Sequence, residues 1–431
     1  MLPDMKRRRL LTAAGLTTIG AVGWGLKPSA DGAPHNPYFQ RLSAALKRHG
    51  MATPTLVIDR QAMLANAKTI LGHIDNRMQL RLVVKSLPSL PLLDVLRHQT
   101  KTDRLMLFSL PQLQKTAHGK CDILLGKPMP IAAAAEFYRG NPSSDFVPDK
   151  QLQWLIDSPE RLAQYRDLAR GQNLQCLVNF EIDVGLHRGG INSQRMLQDM
   201  LAILKSEPRL RLSGLMGYDA HITKIPNLPG LQTQAREHAR ALYASYASTV
   251  LAALGNDGMS KYGGAPTFNA AGSPTYRLYD GKGIENELSV GSAMLKASDF
   301  DTPLLADLVP AVFIATPVLK TPEQFMMPFG VEWTGNAARM WDANQRKSYF
   351  IYGGNWLADP CSPSGLHPSG LYGTSSNQQV LLGSGAQQLR VDDIVFFRPR
   401  QSEAVLLQFG DIAVFDGENI SEMWAPMPAT A

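Results

Sequence analysis

Residues 176–217 read CLVNFEIDVGLHRGGINSQRMLQDMLAILKSEPRLRLSGLMG. An apolar run, Cys176–Ile182, precedes a polar glycine-bearing loop, a helical interval at Ser193–Leu204 and a second apolar run, Leu212–Met216. That order predicts a strand–helix–strand unit with parallel strands, because a crossover through a helix returns the chain in the same direction.

The same alternation extends to both sides. Further strand-like runs are Thr55–Ile58, Leu80–Val84, Leu105–Phe108, Asp122–Leu125 and Trp154–Ile156. Helix-like intervals lie between and after them at Ala62–Ile74, Pro91–His98, Pro111–Ala117, Ala132–Tyr138, Pro159–Ala169 and Thr233–Leu254. Serial βαβα of this kind predicts an α/β fold with a parallel sheet. Some eight units over about 250 residues fit a closed (β/α)8 TIM-type barrel better than an open sheet. No G-x-G-x-x-G follows the first strand, which speaks against a dinucleotide fold.

Beyond about residue 305 the helical pattern stops. Val309–Val318, Ser348–Tyr352, Val380–Leu382, Asp393–Phe397, Ala404–Gln408 and Ile412–Phe415 are β-prone runs between turn residues, and predict a C-terminal all-β domain. The expected organisation is therefore an export segment at 1–33, a barrel at 50–304 and a β domain at 305–425.

Length and composition agree with a folded chain of two domains. The 431 residues are 44% hydrophobic and 19% charged, which excludes a disordered or fibrous chain. The net charge of +6 is uneven: Lys6, Arg7, Arg8, Arg9 and Lys27 against Asp4 place +4 in the first thirty residues and leave +2 for the rest. Nucleic acid is set aside on that ground, since binding it requires a clustered basic surface.

Met5-Lys6-Arg7-Arg8-Arg9 followed by the apolar, glycine-broken run Leu10–Leu26 has the form of a twin-arginine export signal, read by the export machinery. Its alternative is an N-terminal anchor, for which the run is short and its glycines unfavourable. The expected location is periplasmic or otherwise exported, with membrane contact transient or through an uncleaved signal. Cys121, Cys176 and Cys361 form no C-x-x-C pair and read as core thiols, not a disulfide framework.

Active sites of (β/α)8 barrels lie at the C-terminal ends of the strands. Lys85 ends one predicted strand. Asp183 ends another and leads to Gly185-Leu186-His187-Arg188. A third ends in Tyr218-Asp219-Ala220-His221. Phe268-Asn269-Ala270-Ala271-Gly272-Ser273-Pro274-Thr275 is a small-residue loop of the kind that cradles a phosphate. Taken singly, a strand-end lysine, a surface arginine, a capped histidine and a turn are ordinary. Together at one barrel mouth they describe a pyridoxal phosphate site in which the lysine forms the Schiff base.

Their joint order resembles the fold-type III pyridoxal phosphate enzymes, the alanine racemase N-terminal domain superfamily, and most closely its D-threonine aldolase / D-serine dehydratase branch. The resemblance rests on Thr53-Pro54-Thr55-Leu56-Val57-Ile58-Asp59 with Asn66, on Arg81-Leu82-Val83-Val84-Lys85-Ser86, and on Gly119–Leu125 and Ile156–Pro159. Glu181-Ile182-Asp183-Val184-Gly185-Leu186-His187-Arg188 is similar to that branch's E-x-D-x-G-x-x-R. Gly214–Tyr218 with His221, then Asp393–Val395 and Trp424, carry it to about residue 425.

The resemblance implies catalytic roles for Lys85 and His221. It places Arg188 near the cofactor phenolic oxygen, with Tyr218 and His221 beside the ring, and gives the phosphate to Asn269, Gly272, Ser273 and Thr275. It further implies a small amino-acid substrate and a homodimer. Three positions depart from the pattern. The branch's metal-binding H-x-C or H-x-D corresponds to Gln401-Ser402-Glu403, where a surface pair of Glu403 with Arg398 or Arg400 stands at least level with any ligand role. Leu87 replaces a histidine, and Ala293 a tyrosine. A divalent metal is therefore doubtful, because an amide and a lone carboxylate make a poor transition-metal site.

Three functions stay open on the sequence. The first is a lyase acting on D-amino acids by aldol-type or dehydrating cleavage. The second is a racemase, whose opposing base would be Tyr349, Tyr352 or Tyr372. The third is a cofactor-binding protein without turnover.

Overall fold

Strand β1 (Thr55–Asp59) stays outside the barrel. The next eight strands close it: β2 (Gln79–Val83), β3 (Arg104–Leu107), β4 (Asp122–Leu125), β5 (Leu152–Ile156), β6 (Cys176–Ile182), β7 (Leu210–Gly217), β8 (Thr267–Ala270) and β9 (Glu287–Val290). Neighbours are parallel, and β9 returns to β2 with Gln79 opposite Glu287 and Leu82 opposite Val290. The chain is seen in a computed structural model that describes residues 27–140, 142–226, 228–258 and 265–429. The basic stretch and apolar run of the expected export signal lie outside the described residues. Among those described, no helix is long and apolar enough to cross a membrane.

Local chemistry sets the crossover helices. Ser158, Ser109 and Ser193 accept hydrogen bonds from the backbone N–H of Arg161, Gln112 and Met196, capping the helices Pro159–Gln172, Leu110–Thr116 and Gln194–Lys205. Such caps each contribute about 1 kcal/mol by satisfying an otherwise unpaired N–H. Leu197, Met200, Leu201 and Leu204 are the buried face of the last of these, at helical spacing. The helix Leu231–Gly258 is interrupted at Gly255, where φ is +67°.

Two expectations change here. Thr55–Ile58 reads as the first unit of the barrel series, yet β1 pairs in parallel with Ile412–Phe415. Its unbroken apolar run reports burial on both faces and leaves the partner unspecified. The barrel is completed by β8 and β9, and Phe268–Ala270, which in sequence read as the start of the phosphate loop, are strand.

By its internal contacts the chain divides into two compact units. Leu56–Val312 with Pro399–Ala431 form one, and Phe313–Arg398 with the described residues up to Thr55 form the other. In the second unit, β10 (Val312–Lys320) pairs antiparallel with β11 (Lys347–Tyr352). It is followed by β12 (Ala358–Ser362), β13 (His367–Pro368), β14 (Gln378–Gly383) and β15 (Ile394–Pro399). β14 lies antiparallel between β11 and β13, and β15 pairs with β10. The helix Pro37–Arg48 belongs with this sheet through Phe39, whose ring packs 5.2 Å from that of Phe313 and 4.9 Å from that of Phe396.

The region expected to lack helices also contains the helix Glu332–Trp341. In the barrel unit, β16 (Ile412–Phe415) and β17 (Ile420–Trp424) form an antiparallel pair. The run Ala404–Gln408, expected as a strand, is a 3-10 turn over Ala404–Leu407 that buries Val405 and Leu406 and closes on Glu403. Burying two adjacent side chains at a turn satisfies the same apolar residues that a strand would.

Candidate active site

Where β2 ends, a 3-10 turn over Val84–Ser86 lifts Lys85 to the C-terminal mouth of the barrel. A cleft there encloses about 660 Å³, part of it open to solvent. Lys85 Nζ stands 2.6 Å from Glu403 Oε1 and 5.0 Å from the centroid of the Phe108 ring. Gly126 makes room for that ring, since a Cβ at 126 would lie 2.3 Å from Phe108 Cζ.

The loops after β6 and β7 supply the next wall. Arg188 lies in the first, with its guanidinium carbon 4.9 Å over the ring of Tyr218 from the second. Burial raises the Tyr218 phenol, and the Arg188 charge opposes that rise. Gly272 touches the far edge of the same ring: a Cβ there would meet Tyr218 Cε2 at 2.5 Å, so a glycine is required for this approach.

The small-residue loop after β8 is held from both ends. Ala271 adopts φ +63°, an uncommon value for alanine. Ser273 Oγ accepts from Gly291 N and Ala293 N, at 3.2 and 3.1 Å. Thr275 Oγ1 donates to the buried carboxylate of Asp219 at 2.5 Å and accepts from Gly272 N at 3.3 Å. Asp219 also accepts from Tyr279 Oη at 2.9 Å. Burial raises the Asp219 carboxyl, and these two hydrogen bonds counter it.

Of the residues singled out in sequence, Lys85, Arg188, Tyr218, Asn269, Gly272 and Ser273 line one cleft. His221 and Thr275 are not in its wall. Thr275 is fully buried and faces Asp219. His221 follows in the 3-10 turn Ala220–Thr223, its Nδ1 buried without a hydrogen-bond partner, and burial lowers its tendency to protonate. Asn269 commits its amide N–H groups to Glu287 and Ser289, both at 2.8 Å.

Sequence reasoning had assigned no site role to Glu403. The expected partners, Arg398 and Arg400, are its neighbours in the chain, whereas Lys85 precedes it by more than 300 residues. The departure from the family pattern marks the position in sequence, but the apolar run after it reads as a strand and hides the turn over Ala404–Leu407.

Glu181, at the end of β6, adds a pH-sensitive feature. Burial, then the nearby charge of Asp157, push its carboxyl up to about 7 against the pull of Arg188. The folded state therefore binds the proton more tightly than the unfolded one. Stability from this group is lost as pH rises from the ordinary glutamate value through 7. Glu181→Gln should remove that loss, flattening the difference in urea stability between pH 5 and pH 8 by roughly 2–3 kcal/mol. An unchanged difference would show that Glu181 ionises freely.

A closed parallel barrel with a lysine after its first strand, an arginine over a tyrosine and a tethered small-residue loop defines a class of cofactor-dependent barrel enzymes. The chain belongs to the alanine racemase N-terminal domain family, whose model matches residues 58–299. It is thus a fold-type III pyridoxal phosphate enzyme of that superfamily. A search of curated proteins returns no match.

Among solved structures, D-threo-3-hydroxyaspartate dehydratase from Delftia sp. HT23 is similar at TM-score 0.66 and 17% identity, over 88% of this chain and 98% of that one. D-threonine aldolase from Filomicrobium marinum gives 0.65 and 15%, over 87% and 94%. Alanine racemase from Bacillus anthracis gives 0.61 and 15%, over 86% and 97%.

The donor set fits pyridoxal phosphate. Lys85 offers a primary amine in the cleft wall, Arg188 a cation beside an aromatic face, and the loop 271–275 a tethered turn of small residues. A metal at 401–403 is another matter. Gln401 Nε2 donates to Asp299, Glu403 is engaged by Lys85, and no imidazole or thiolate occurs in the stretch. Among the described residues no group of three His, Cys, Asp or Glu is placed to hold a metal ion. These residues do not fit the metal pair of the lyase branch.

Proposed function

We propose that this chain is a pyridoxal phosphate-dependent lyase that cleaves D-amino acids bearing a 3-hydroxyl group. The observation that carries the reading is the Lys85–Glu403 contact of 2.6 Å in the wall of the cleft, which puts two proton-handling groups within reach of one small substrate. Two of the similar structures are named for such substrates, a dehydratase and an aldolase.

When bound, pyridoxal phosphate supplies an electron sink for negative charge developing at the substrate Cα. Lys85 would hold the cofactor and move the proton at Cα. Arg188, stacked over Tyr218, would place positive charge beside the cofactor ring. Gly272 and Ser273 would receive the phosphate, with Asn269 beneath them. Thr275 would act at one remove, fixing the loop through Asp219, and His221 would support the wall behind Tyr218.

A homodimer belongs to the same reading. It is supported by the exposed apolar side chains Phe329, Trp333, Met340 and Trp341 of the second unit. Export is supported by Met5–Arg9 and the apolar run that follows.

The test is incubation of the purified chain and pyridoxal phosphate with D-serine or D-threonine as single enantiomers. The expected products are a keto acid with ammonia, or glycine with an aldehyde. Accumulation of the L-enantiomer without either product would make the chain a racemase. Cofactor binding with no change in any substrate would make it a binding protein.

A further inference from the structure

Glu403 is fixed in place but not hidden. Asp299 N donates to Arg400 O at 3.0 Å on one side, and Leu406 N donates to Glu403 O at 3.0 Å on the other. Ser402 beside it is fully buried, as is Leu406 in the following turn. The Glu403 and Lys85 side chains nevertheless keep 40% and 38% of their surface exposed, and both line the cleft. A small molecule in that cleft can therefore touch both groups. Loss of a 3-hydroxyl needs one proton removed from Cα and one delivered to the departing oxygen on the adjacent carbon.

Resting on the lyase reading above, we propose that Glu403 is the catalytic acid–base for the substrate's 3-hydroxyl, acting in tandem with Lys85 at Cα. The cycle starts with the shared proton on Glu403. Lys85 Nζ takes the Cα proton, and the electron pair left behind forms the Cα–Cβ double bond. The Cβ–O bond breaks with its electron pair passing to oxygen. Glu403 gives its proton to that oxygen, and water leaves. The Lys85 ammonium then returns its proton to the Glu403 carboxylate across the 2.6 Å contact. Both side chains end as they began, so the protons balance between them. This assigns to a carboxyl of the chain itself the hydroxyl-activating role for which 401–403 offer no fitting metal ligands.

Two measurements test the proposal. In the first, the full-length chain freed of cofactor is treated with a water-soluble carbodiimide and digested for mass spectrometry. An amide between Lys85 and Glu403 should form, and prior loading with pyridoxal phosphate should block it by occupying the lysine. In the second, Glu403→Gln is compared with the parent enzyme. Product from D-serine or D-threonine should fall by about 100-fold or more, with partial recovery in Glu403→Asp. Exchange of the D-alanine Cα proton with deuterated solvent, followed by NMR, should fall by less than about tenfold, because that substrate has no hydroxyl to expel.

Product formation undiminished in Glu403→Gln would overturn the proposal alone. Equal loss of product and of D-alanine exchange would overturn it too, since Glu403 would then serve only Lys85. An intact enzyme that forms the cross-link and exchanges D-alanine, yet yields no product from either hydroxy amino acid, would defeat the lyase reading and this proposal with it.

Discussion

Lys85→Ala should abolish the visible absorbance that pyridoxal phosphate acquires on binding, and lower turnover by roughly 10³-fold or more, the scale expected when a group acting at the reacting atoms is removed. Lys85 leaves the end of β2 on a single 3-10 turn, flanked by Val84 and Ser86, which are both buried. Ser86 Oγ accepts from Ser292 Oγ at 2.9 Å, tying this turn to the one after β9. The amine is thus presented from a rigid support.

No other lysine lines the cleft among the described residues, so no second amine is positioned to take over. Borohydride reduction of the parent enzyme followed by digestion should leave the cofactor on the Lys85 peptide. In Lys85→Ala it should leave the cofactor on no peptide. Recovery of a reduced adduct on another lysine of the parent protein would refute the assignment. Added primary amines such as methylamine should restore part of the activity of Lys85→Ala if its loss is purely chemical.

The placement of Lys85 at the barrel mouth was legible because its signal is local: an apolar run ends in a charge at the C-terminal end of a strand. The strands β2 to β7 were legible for the same reason, each being a short apolar run bounded by turn or capping residues. Strands β8 and β9 were not. Each alternates buried polar with apolar residues, Thr267 and Asn269 in one and Glu287 and Ser289 in the other, so neither keeps a contiguous apolar run such as Leu82-Val83 of β2. Polar residues at buried positions interrupt the apolar pattern from which a strand is read.

β1 shows the converse. Its burial was readable, but its pairing with β16 depends on a segment more than 350 residues later in the chain. Glu403 combines both difficulties. Its partner is distant in sequence, and the turn that aims it consists of Ala, Val and Leu, residues with high strand or helix propensity.

Arg81 was the least visible of the residues on which the site depends, and its removal should have the largest effect on stability. It sits in the middle of β2, fully buried, where an apolar residue would complete the run. Its Nε donates to Glu287 Oε1 at 2.5 Å and its Nη2 to Glu287 Oε2 at 2.9 Å. Nη1 donates to the carbonyls of Leu105 and Asp122, at 2.9 and 2.7 Å. The network extends from Glu287 to Asn269, at the base of the small-residue loop, and to Arg104. Burial disfavours the arginine's charge, while Glu287 and Asp122 hold the guanidinium firmly protonated.

An arginine in this setting stabilises little relative to a well-packed apolar core, but its removal strands its partners. Arg81→Ala should therefore cost about 3–5 kcal/mol, read from the urea midpoint at constant slope. A second substitution, Glu287→Gln, should recover part of that loss by neutralising the stranded carboxylate, giving a coupling energy a distant pair would not show. A cost below about 1 kcal/mol would place the pair among solvent-screened surface bridges and contradict its burial. Because β2 runs from Arg81 directly to the turn that carries Lys85, and Glu287 holds Asn269 beneath the loop, cofactor affinity should fall together with stability in Arg81→Ala. A conservative Arg81→Lys should not rescue it, since a single ammonium cannot reproduce the planar fork that meets the carboxylates of Glu287 and Asp122 and two carbonyls at once.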